Sequence, residues 1–572
     1  MNNYYTKLRN IQMMISLLKQ HNIRKVIASP GTTHFQFLGS IQNDPFFEIY
    51  SSVDERSAAY MACGLAAESN EPVVLTCTGA TASRNYVPGM TEAYYRKLPV
   101  IAITASPHWG RIGQNTPQAI DRTKEINDIV KYVAQIPLVN TKEDEDAVNI
   151  ELNNAMLELR HNGGGPVLIN FTSNSDMDFS VKELPNTHII RRVKNEKEFP
   201  KIDKDRVGIF VGSHRKWDDE LLKEVDTFCE KYNGVVICDQ TSNYKGKYGI
   251  CSGLISKHDE PCKKVDLLID IGEVSGGYLG IHSNNAWRVN PDGVIRRRDS
   301  NLHYVFEMEE IDFFKHYNKL KEEKKETSYY KEWEDTDSRL RSKIPELPFS
   351  NIWVALNSYR KVPKDSVVYL GILNTLRSWN FVPTLKDNLV LCNTGGFGID
   401  GGVSATIGAA LANKDKIHFG LVGDLGFFYD MNSLGNRHVG NNVRIMIVNN
   451  GRGTEFRMYS HVAEKSFGDE ADEYMAAAGH YGNMSKNLIK DYATDLGFEY
   501  LSANNKEEYL KNVDKFFDPK ENDKPIIFEI FTDYRDESDA LKTISNLEYS
   551  KKGMVKKIIG VKTVNKIKKI LK

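Results

Sequence analysis

Two polar motifs follow neighbouring apolar runs in the last third of the chain. Asp424 ends the first run within the sequence Gly-Asp-Leu-Gly at 423–426, and Asn450 follows the second run, at 443–448. In an open α/β sheet the carboxyl ends of parallel strands meet at one edge, so these side chains are expected to lie side by side. Mg²⁺ prefers six oxygen ligands and commonly takes one or two carboxylates together with substrate phosphates. The motifs predict a magnesium–diphosphate site, with the main-chain carbonyl of Arg452 as a third protein ligand.

The residues around Asp424 suit the close approach of a phosphate to the backbone. Gly423 and Gly426 have no side chain to block it, and Leu425 lies between Asp424 and Gly426. A lone Gly-Asp-X-Gly often makes only a turn. The Asn-Asn pair at 449–450, which follows a second strand-like run, favours the metal site.

The Gly-Asp start and the Asn-Asn end resemble the cofactor motif of the thiamine diphosphate (ThDP) enzymes. That resemblance implies a second domain carrying one glutamate, and the sequence Val-Asp-Glu-Arg-Ser at 53–57 supplies Glu55. By similarity, Glu55 would hydrogen-bond the aminopyrimidine ring and assist loss of the thiazolium C2 proton, while the cofactor carries the hard chemistry. The alternative is that Asp54 and Glu55 only open a helix, where acidic residues suit the dipole. Their occurrence together with the metal motif favours the catalytic role.

Length and composition fit a multidomain enzyme. The 572 residues predict roughly three or four domains, and the 41% hydrophobic content can fill their cores. No run approaches the roughly 20 apolar residues of a membrane span, and residues 1–9 carry no apolar signal segment. Seven scattered cysteines without a Cys-x-x-Cys pair argue against structural zinc and a disulfide scaffold. We expect a cytoplasmic protein without a nucleic-acid partner.

Strand-like and helical segments alternate along the chain and predict an α/β fold with three doubly wound parallel-sheet domains. A pyrimidine-binding (PYR) domain is placed at 1–180, and a polar linker follows at 181–205. A central domain at 206–342 lacks an obvious nucleotide motif, so FAD is not expected. A diphosphate-binding (PP) domain is placed at 343–545, before a basic tail at 546–572. The first and third domains are expected to share a fold.

Further motifs resemble the SEPHCHC synthase branch of the family, the menaquinone-pathway enzymes that join decarboxylated 2-oxoglutarate to isochorismate. The matches are Ser-Pro-Gly at 29–31, Thr-Gly-Ala at 78–80, Gln-Ala-Ile-Asp at 118–121 and Gly-Ile-Asp-Gly at 398–401, beside the Glu55 and Asp424 motifs. The likeness covers the first and third domains and is only topological in the middle. It implies that Gln118 faces the cofactor and the intermediate, and that Gly31, Thr78 and Gly79 contact the cofactor.

In the third domain the resemblance adds a glycine-rich loop to the cofactor site. Gly395, Gly396 and Gly398 would give backbone room for the diphosphate, and Phe397 is a candidate for the bulky wedge that keeps the cofactor bent. The alternatives are ordinary strand-to-helix turns for the glycines and a core position for Phe397.

The chain departs from this branch where the synthases hold substrate carboxylates. Thr33 and Thr394 stand in place of arginines, and Gly-Tyr at 277–278 stands in place of a Lys-Arg pair. Arginine is the side chain best suited to bidentate carboxylate recognition. We therefore expect the reaction type to be kept and the substrates to differ.

Other substrate-contacting candidates lie in predicted active-site loops: Thr32, His34, His108, Arg457 and His461. Imidazole suits proton transfer near neutral pH, although a lone loop histidine is commonly just exposed. The Arg-Arg-Arg run at 296–298 could meet a phosphate or phosphonate, or form a solvated turn.

The end of the chain is strongly basic. Residues 551–572 contain nine lysines and no acidic residue, and apolar residues recur among them largely at helical spacing. This pattern predicts a basic amphipathic helix. Such a helix can lie on anionic lipid, dock on the enzyme's own acidic surface, or remain a frayed tail. Similar tails on enzymes of surface polysaccharides make a membrane-proximal sugar pathway one possible setting.

The sequence thus predicts a ThDP- and Mg²⁺-dependent enzyme that decarboxylates a 2-oxo acid donor and passes the resulting carbanion to an unidentified acceptor. The resemblance places the cofactor between the Glu55 domain of one subunit and the Asp424 domain of another, in a homodimer or a dimer of dimers. A non-ligating decarboxylase of the phosphonopyruvate or sulfopyruvate type stays open as an alternative. A catalytically silent scaffold is a third possibility, and it would need none of Glu55, Asp424 and Asn450.

Overall fold

The computed structural model describes residues 4–189, 199–277, 280–293, 302–323, 325–480, 485–520 and 522–548. This part of the chain contains three six-stranded sheets with flanking helices, and neighbouring strands in each sheet are parallel. The predicted α/β class is confirmed. The domain bounds themselves stay predictions, because the linker at 181–205 lies partly outside the described residues.

The first domain contains one parallel sheet in the order β2-β1-β3-β4-β6-β5. Its strands are β1 Lys25–Ala28, β2 Glu48–Ser51, β3 Val73–Cys77, β4 Val100–Ser106, β5 Tyr132–Ile136 and β6 Val167–Thr172. Its helices are α1 Arg9–Gln20, α2 Phe35–Ile41, α3 Glu55–Ser69, α4 Ala80–Asn85, α5 Val87–Tyr95 and α6 Lys142–Glu158.

The central domain has the strand order β14-β13-β11-β7-β8-β9. This is a doubly wound arrangement of parallel strands in which the order of the strands along the chain reverses between β7 and β11. The strands are β7 Val207–Val211, β8 Gly234–Cys238, β9 Gly249–Cys251, β11 Leu267–Ile271, β13 Ala286–Val289 and β14 Leu302–Phe306, and β10 Lys264–Val265 pairs separately with β12 His282–Ser283. The helices are α7 Asp219–Tyr232, α8 Glu310–Leu320 and α9 Ser328–Arg341.

The third domain repeats the connection order of the first, since its sheet reads β16-β15-β17-β18-β20-β19. Its strands are β15 Val367–Leu370, β16 Leu389–Cys392, β17 His418–Gly423, β18 Val443–Asn449, β19 Glu499–Ala503 and β20 Ile526–Phe531. Its helices are α10 Asn351–Ser358, α11 Asn374–Trp379, α12 Gly402–Ala412, α13 Asp424–Asp430, α14 Val462–Phe467, α15 Ala471–Tyr474, α16 Leu488–Asp495, α17 Lys506–Phe516 and α18 Tyr534–Ile544. The prediction that the first and third domains share a fold is confirmed.

Helices α3 and α12 join the first and third domains within one chain. They can approach closely because both carry glycine at the crossing: a Cβ added to Gly64 would lie 2.0 Å from the Ala405 carbonyl oxygen, and one added to Gly408 would lie 2.1 Å from the Met61 carbonyl oxygen. A single buried apolar cluster extends across both domains around this contact. The start of α3, where Glu55 lies, is thereby fixed relative to the third domain of its own chain.

Among the described residues, no helix combines the length and apolar character needed to cross a membrane. The basic tail lies mostly outside the described residues, which end at 548, so its amphipathic helix and its membrane contact stay predictions. The arginine run at 296–298 and Tyr278 also lie outside the described residues. All seven cysteines are buried and free.

Candidate active site

A cavity of about 120 Å³ opens at the carboxyl ends of β15, β17 and β18. Its wall contains most of the residues predicted to hold metal and diphosphate in this domain, namely Gly398, Gly423, Asp424, Leu425, Gly426, Asn450 and Arg452. Two sequence motifs separated along the chain therefore meet at one sheet edge, as parallel-strand geometry requires.

Asp424 is the first residue of α13, and its side chain is buried. The carboxylate accepts hydrogen bonds from the main-chain N–H groups of Leu425 and Gly451, so it faces the turn that follows β18. Burial raises the pKa of Asp424 to about 7 in spite of these bonds. A buried carboxylate is costly without a compensating charge, and a divalent cation would supply one.

Asn450 and Arg452 lie on the facing turn. The Asn450 Oδ1 atom accepts a hydrogen bond from Thr454 Oγ1 at 2.5 Å, and the Arg452 carbonyl oxygen accepts one from the Thr454 N–H at 2.9 Å. Each of these oxygens has a second lone pair that can coordinate a metal. The Arg452 side chain is directed elsewhere, to Asp472 at 2.5 Å.

Gly423 leaves the space beside Asp424 open. A Cβ added to Gly423 would meet no atom within 4 Å, whereas one added to Gly426 would lie 3.0 Å from the Ile399 carbonyl oxygen. A buried carboxylate, an amide oxygen, a main-chain carbonyl and an open glycine form a donor set that fits Mg²⁺ and a diphosphate.

Gly395 and Gly396 do not line this cavity. They pack instead against α5 of the first domain, where the Gly396 N–H donates to the buried Glu92 carboxylate at 2.6 Å. A Cβ at Gly395 would lie 2.8 Å from the Glu92 carbonyl oxygen. In this chain the two glycines allow the loop to rest on α5, and their contact with the diphosphate stays a prediction.

The rest of that loop reaches the cavity. Gly398 and Ile399 line it, whereas Phe397, the predicted wedge, is half-exposed and has a positive φ of 56°. Ile399 was not predicted as a site residue from the sequence, because only the glycines of the motif Gly-Ile-Asp-Gly indicate a phosphate-binding loop. A bulky residue in the left-handed region is strained, which marks the Phe397 backbone as fixed by its surroundings.

The predicted residues of the first domain gather at the carboxyl edge of the first sheet. Gly31 follows β1, and Thr78 and Gly79 follow β3. Gly31 and Thr78 are in contact, because a Cβ at Gly31 would lie 2.0 Å from Thr78 Cγ2. A Cβ at Gly79 would lie 2.7 Å from the carbonyl oxygen of Ala105 on β4. The close approach of the Ala105 backbone therefore favours glycine at position 79, whereas Gly31 makes room for the Thr78 side chain.

Glu55 begins α3 directly after its cap. The Asp54 side chain accepts the Ser57 N–H at 2.8 Å, so the helix-opening interpretation holds for Asp54. Glu55 Oε2 accepts a hydrogen bond from Asn85 Nδ2 at 3.3 Å. Gln118 has a positive φ of 61° and lies in an exposed segment.

The predicted cofactor residues of the first domain and those of the third domain lie at the edges of two different sheets of one chain. In the described part of the chain, every residue that lines the Asp424 cavity comes from 351–456, and none comes from the first domain. Large apolar side chains are exposed in both domains, including Val53 (79% exposed), Trp109 (76%) and Tyr474 (85%). The predicted cofactor residues of one chain thus form two separate groups.

The predicted substrate residues of the first domain differ in accessibility. His34 is fully buried, and burial lowers its pKa to about 4, so the ring is neutral at pH 7 and a poor proton donor. His108 is exposed beside Trp109, and Thr32 is also exposed. In the described structure the hydroxyl of Thr33 is buried without a hydrogen-bond partner, as is that of Thr394 in the third domain.

Arg457 and His461 serve the local structure. The buried Arg457 guanidinium contacts Glu464 at 2.7 Å, Asp469 at 2.6 Å and Asp472 at 2.6 Å. His461 accepts the Ala463 N–H at 3.1 Å and so caps α14. Three carboxylates already neutralise Arg457, which leaves it poorly placed to recognise a substrate anion.

Two charged residues at the cavity were missed. Glu455 lines it, and Arg377 of α11 binds both Glu455 oxygens, through Nη1 at 3.0 Å and Nη2 at 2.6 Å. Neither belongs to a recognisable motif, and 78 positions separate them. Only the fold brings them together.

A larger cavity of about 360 Å³ lies among the three domains, at the carboxyl ends of β7, β11 and β13. Its charged groups are engaged with one another: His214 Nε2 lies 2.8 Å from Glu310 Oε2, and Lys97 Nζ lies 2.8 Å from Glu273 Oε1. It contains none of the predicted site residues. The smaller cavity is the candidate active site because it holds the metal and diphosphate donors.

Asp430, at the end of α13, provides a pH-dependent prediction. It is buried, accepts the Ser404 N–H at 2.6 Å and the Ser57 hydroxyl at 3.2 Å, and burial raises its pKa to about 7. The folded protein therefore retains a proton that the unfolded chain releases above about pH 4, and the free energy of unfolding should fall as pH rises from 4 to 7. The free energy of unfolding of the apoprotein is measured with urea at pH 4.5 and at pH 8. From the lower to the higher pH it should fall by roughly 2–4 kcal/mol less in Asp430→Asn than in wild type. The exposed Asp415→Asn is the control, and equal declines in wild type and Asp430→Asn would contradict the prediction.

Comparison with known proteins agrees with this geometry. Residues 9–126 match the thiamine pyrophosphate enzyme N-terminal TPP binding domain. The chain is 29% identical to the 2-succinyl-5-enolpyruvyl-6-hydroxy-3-cyclohexene-1-carboxylate (SEPHCHC) synthase of Bacteroides fragilis, over 94% of this chain and 98% of the relative. Identity to the synthase of Phocaeicola vulgatus is also 29%, with the same coverage, and identity to that of Porphyromonas gingivalis is 24% over 95% of this chain and 98% of the relative.

The chain is thus similar to ThDP-dependent enzymes, in its N-terminal domain and along nearly its whole length. The similarity to these synthases indicates a ThDP-dependent enzyme of the decarboxylating, carbon–carbon ligating class. These similarities support a ThDP enzyme near the SEPHCHC synthase branch, as the sequence motifs predict.

Proposed function

We propose that this protein uses ThDP and Mg²⁺ to decarboxylate a 2-oxo acid and to join the remaining fragment to an acceptor other than isochorismate. The observation that carries the proposal is the convergence of Asp424, Asn450 and the Arg452 carbonyl beside the open Gly423. When bound, the cofactor supplies the thiazolium carbon at which a 2-oxo acid loses CO₂.

The residues of this chain have distinct roles in the proposal. Asp424, Asn450 and Arg452 hold Mg²⁺, and Gly423, Leu425, Gly426 and Gly398 surround the diphosphate. Glu55 holds the aminopyrimidine ring and controls its protonation, while Gln118 faces the cofactor and the intermediate from the exposed segment of the first domain. Ile399 gives the cavity an apolar surface.

A complete site in this proposal needs two copies of the chain. Support comes from the two separate groups of predicted cofactor residues, since no described residue of the first domain lines the Asp424 cavity of its own chain. A two-fold dimer would place the Glu55 edge of each subunit against the Asp424 edge of the other. The exposed Val53, Trp109 and Tyr474 would then be covered.

The substrates are proposed to differ from those of the menaquinone-pathway branch. Thr33 and Thr394 supply no charge to hold a carboxylate, and Arg377 is already paired with Glu455. A cytoplasmic location and a role in surface-polysaccharide or related secondary biosynthesis complete the proposal, and they rest on the sequence alone.

The test is CO₂ release and product analysis with ThDP and Mg²⁺. Pyruvate, 2-oxoglutarate, phosphonopyruvate and sulfopyruvate are supplied one at a time, with and without candidate aldehyde, ketone and enoyl acceptors. We expect CO₂ from one donor and a new carbon–carbon bond when the right acceptor is present. If the sole product under all conditions is the free aldehyde, formed when a proton quenches the carbanion, the result would favour the non-ligating decarboxylase. Failure to bind ThDP would refute the proposal and favour the scaffold.

A further inference from the structure

Arg377 and Glu455 form a charged pair at the candidate active site. Glu455 lines the same cavity as Asp424 and Asn450. Arg377 approaches it from α11, binds both of its oxygens, and also donates to Asn374, another lining residue. Both side chains are partly exposed, and of the two Glu455 lines the cavity, beside the residues proposed to hold the diphosphate.

The cavity has no unpaired guanidinium in the described part of the chain. Arg452, which lines it, binds Asp472 at 2.5 Å, and Arg377 binds Glu455 at 2.6 Å. A donor with a second anionic group would therefore find each arginine beside a fixed carboxylate.

We propose that Glu455 sets the donor specificity of this enzyme by occupying Arg377, so that the donor is a 2-oxo acid with an uncharged side chain. The inference rests on the proposed function, because it assigns the substrate class of the same site. Glu455 takes the place that the distal carboxylate of a dicarboxylic donor would need.

The chemistry of the pair supports this role. A guanidinium presents a planar fork that fits one carboxylate bidentately, and Glu455 fills that fork. Burial alone would raise the pKa of Glu455, but the Arg377 guanidinium more than compensates and holds this pKa below its usual value. Glu455 is therefore ionised at neutral pH, and a second carboxylate beside it would meet both like charge and an occupied arginine.

The remaining polar lining suits an uncharged donor. Asn374, Thr375 and Asn393 offer amide and hydroxyl groups, while Leu373 and Ile399 offer apolar surface. Such groups can hold an alkyl or hydroxyl-bearing chain without a counter-charge. Pyruvate and 2-oxobutyrate are the simplest donors of this class.

The first experiment compares kcat/KM for 2-oxobutyrate and 2-oxoglutarate in the ThDP- and Mg²⁺-loaded enzyme. Wild type should prefer 2-oxobutyrate by about tenfold or more, because like charges disfavour the dianion. Glu455→Gln keeps the side-chain shape but frees the charge of Arg377, and it should shift the ratio towards 2-oxoglutarate by at least about tenfold. The double variant Glu455→Gln with Arg377→Met should lose that shift.

Glu464→Gln is the matched control, because Glu464 pairs with Arg457 and does not line the cavity. Its donor ratio should equal that of wild type. An unchanged ratio in Glu455→Gln, or a wild-type preference for 2-oxoglutarate, would overturn the inference while the proposed function stands.

A second measurement keeps the inference testable in variants that do not turn over. Binding of methyl acetylphosphonate, with a neutral chain, and of succinylphosphonate, with an anionic chain, is measured calorimetrically on the loaded proteins. Wild type should favour the neutral analogue and Glu455→Gln the anionic one. Equal preferences in the two proteins would overturn the inference. Loss of ThDP binding in wild type itself would instead refute the proposed function.

Discussion

Asp424→Asn is expected to abolish ThDP- and Mg²⁺-dependent activity while making the apoprotein more stable. Loss of a group that only orients a metal ligand costs 10–100-fold, so loss of the charged ligand itself should cost at least about 100-fold in activity. In the apoprotein the same carboxylate is buried with its pKa raised from 3.8 to about 7. At pH 8 the folded state must therefore carry a buried charge, and removing it should raise the free energy of unfolding by up to about 4 kcal/mol.

The two effects are separated by thermal unfolding with and without ThDP and Mg²⁺. Wild type should be stabilised by the pair of ligands, since anything that binds only the folded state raises its stability. Asp424→Asn should start from a higher melting temperature and show no further increase. The exposed Asp415→Asn should behave like wild type in both conditions. A ligand-dependent increase of normal size in Asp424→Asn would remove Asp424 from the metal site.

The parts of the site that could be predicted from sequence are those where a motif ends a strand. The run at 418–423 and the run at 443–449 became adjacent parallel strands, so Asp424 and Asn450 had to meet. The first and third domains were also expected to share a fold, and their sheets have the same strand order. Short or partly exposed strands were missed, such as β2 Glu48–Ser51, because they lack a distinctive apolar run.

The parts that could not be predicted depend on contacts between distant segments. Nothing in the glycine-rich sequence at 395–398 shows that its first two glycines rest on Glu92, some 300 positions earlier. The sequence makes Arg457 a candidate substrate contact, and only the folded structure shows three carboxylates around its guanidinium. Arg377 and Glu455 carry no motif at all. Long-range charge pairing of this kind decides which arginine side chains remain available to bind a substrate anion.

Helix α3 connects the two groups of predicted cofactor residues within one chain. Its first residue is Glu55, while Tyr60, one and a half turns later, donates to Asp400 of the third domain in the same chain at 2.9 Å. Asp400 adjoins Ile399, which lines the Asp424 cavity. One helix therefore carries Glu55 at its start and, along its side, braces the loop that lines the Asp424 cavity.

Glu55→Gln is expected to bind ThDP and Mg²⁺ normally but to lose activity by roughly 10²- to 10⁴-fold, the range for removal of a proton-transfer group. Glutamine can still hydrogen-bond the aminopyrimidine ring, yet it cannot carry the charge that controls its protonation. Turnover is measured with the donor found in the CO₂ assay, and cofactor affinity is measured by titration. Undiminished turnover would exclude Glu55 from the mechanism.

The same variant tests whether the site is shared between subunits. Glu55→Gln and Asp424→Asn chains are produced together with different affinity tags, and heterodimers are purified through both tags. In a shared site, one of the two sites in each heterodimer combines the intact Glu55 of one chain with the intact Asp424 of the other, so about half of wild-type activity should return. If each site were built within one chain, both sites of the heterodimer would carry a substitution. Heterodimers as inactive as the parent variants, with ThDP bound, would therefore refute the two-copy site.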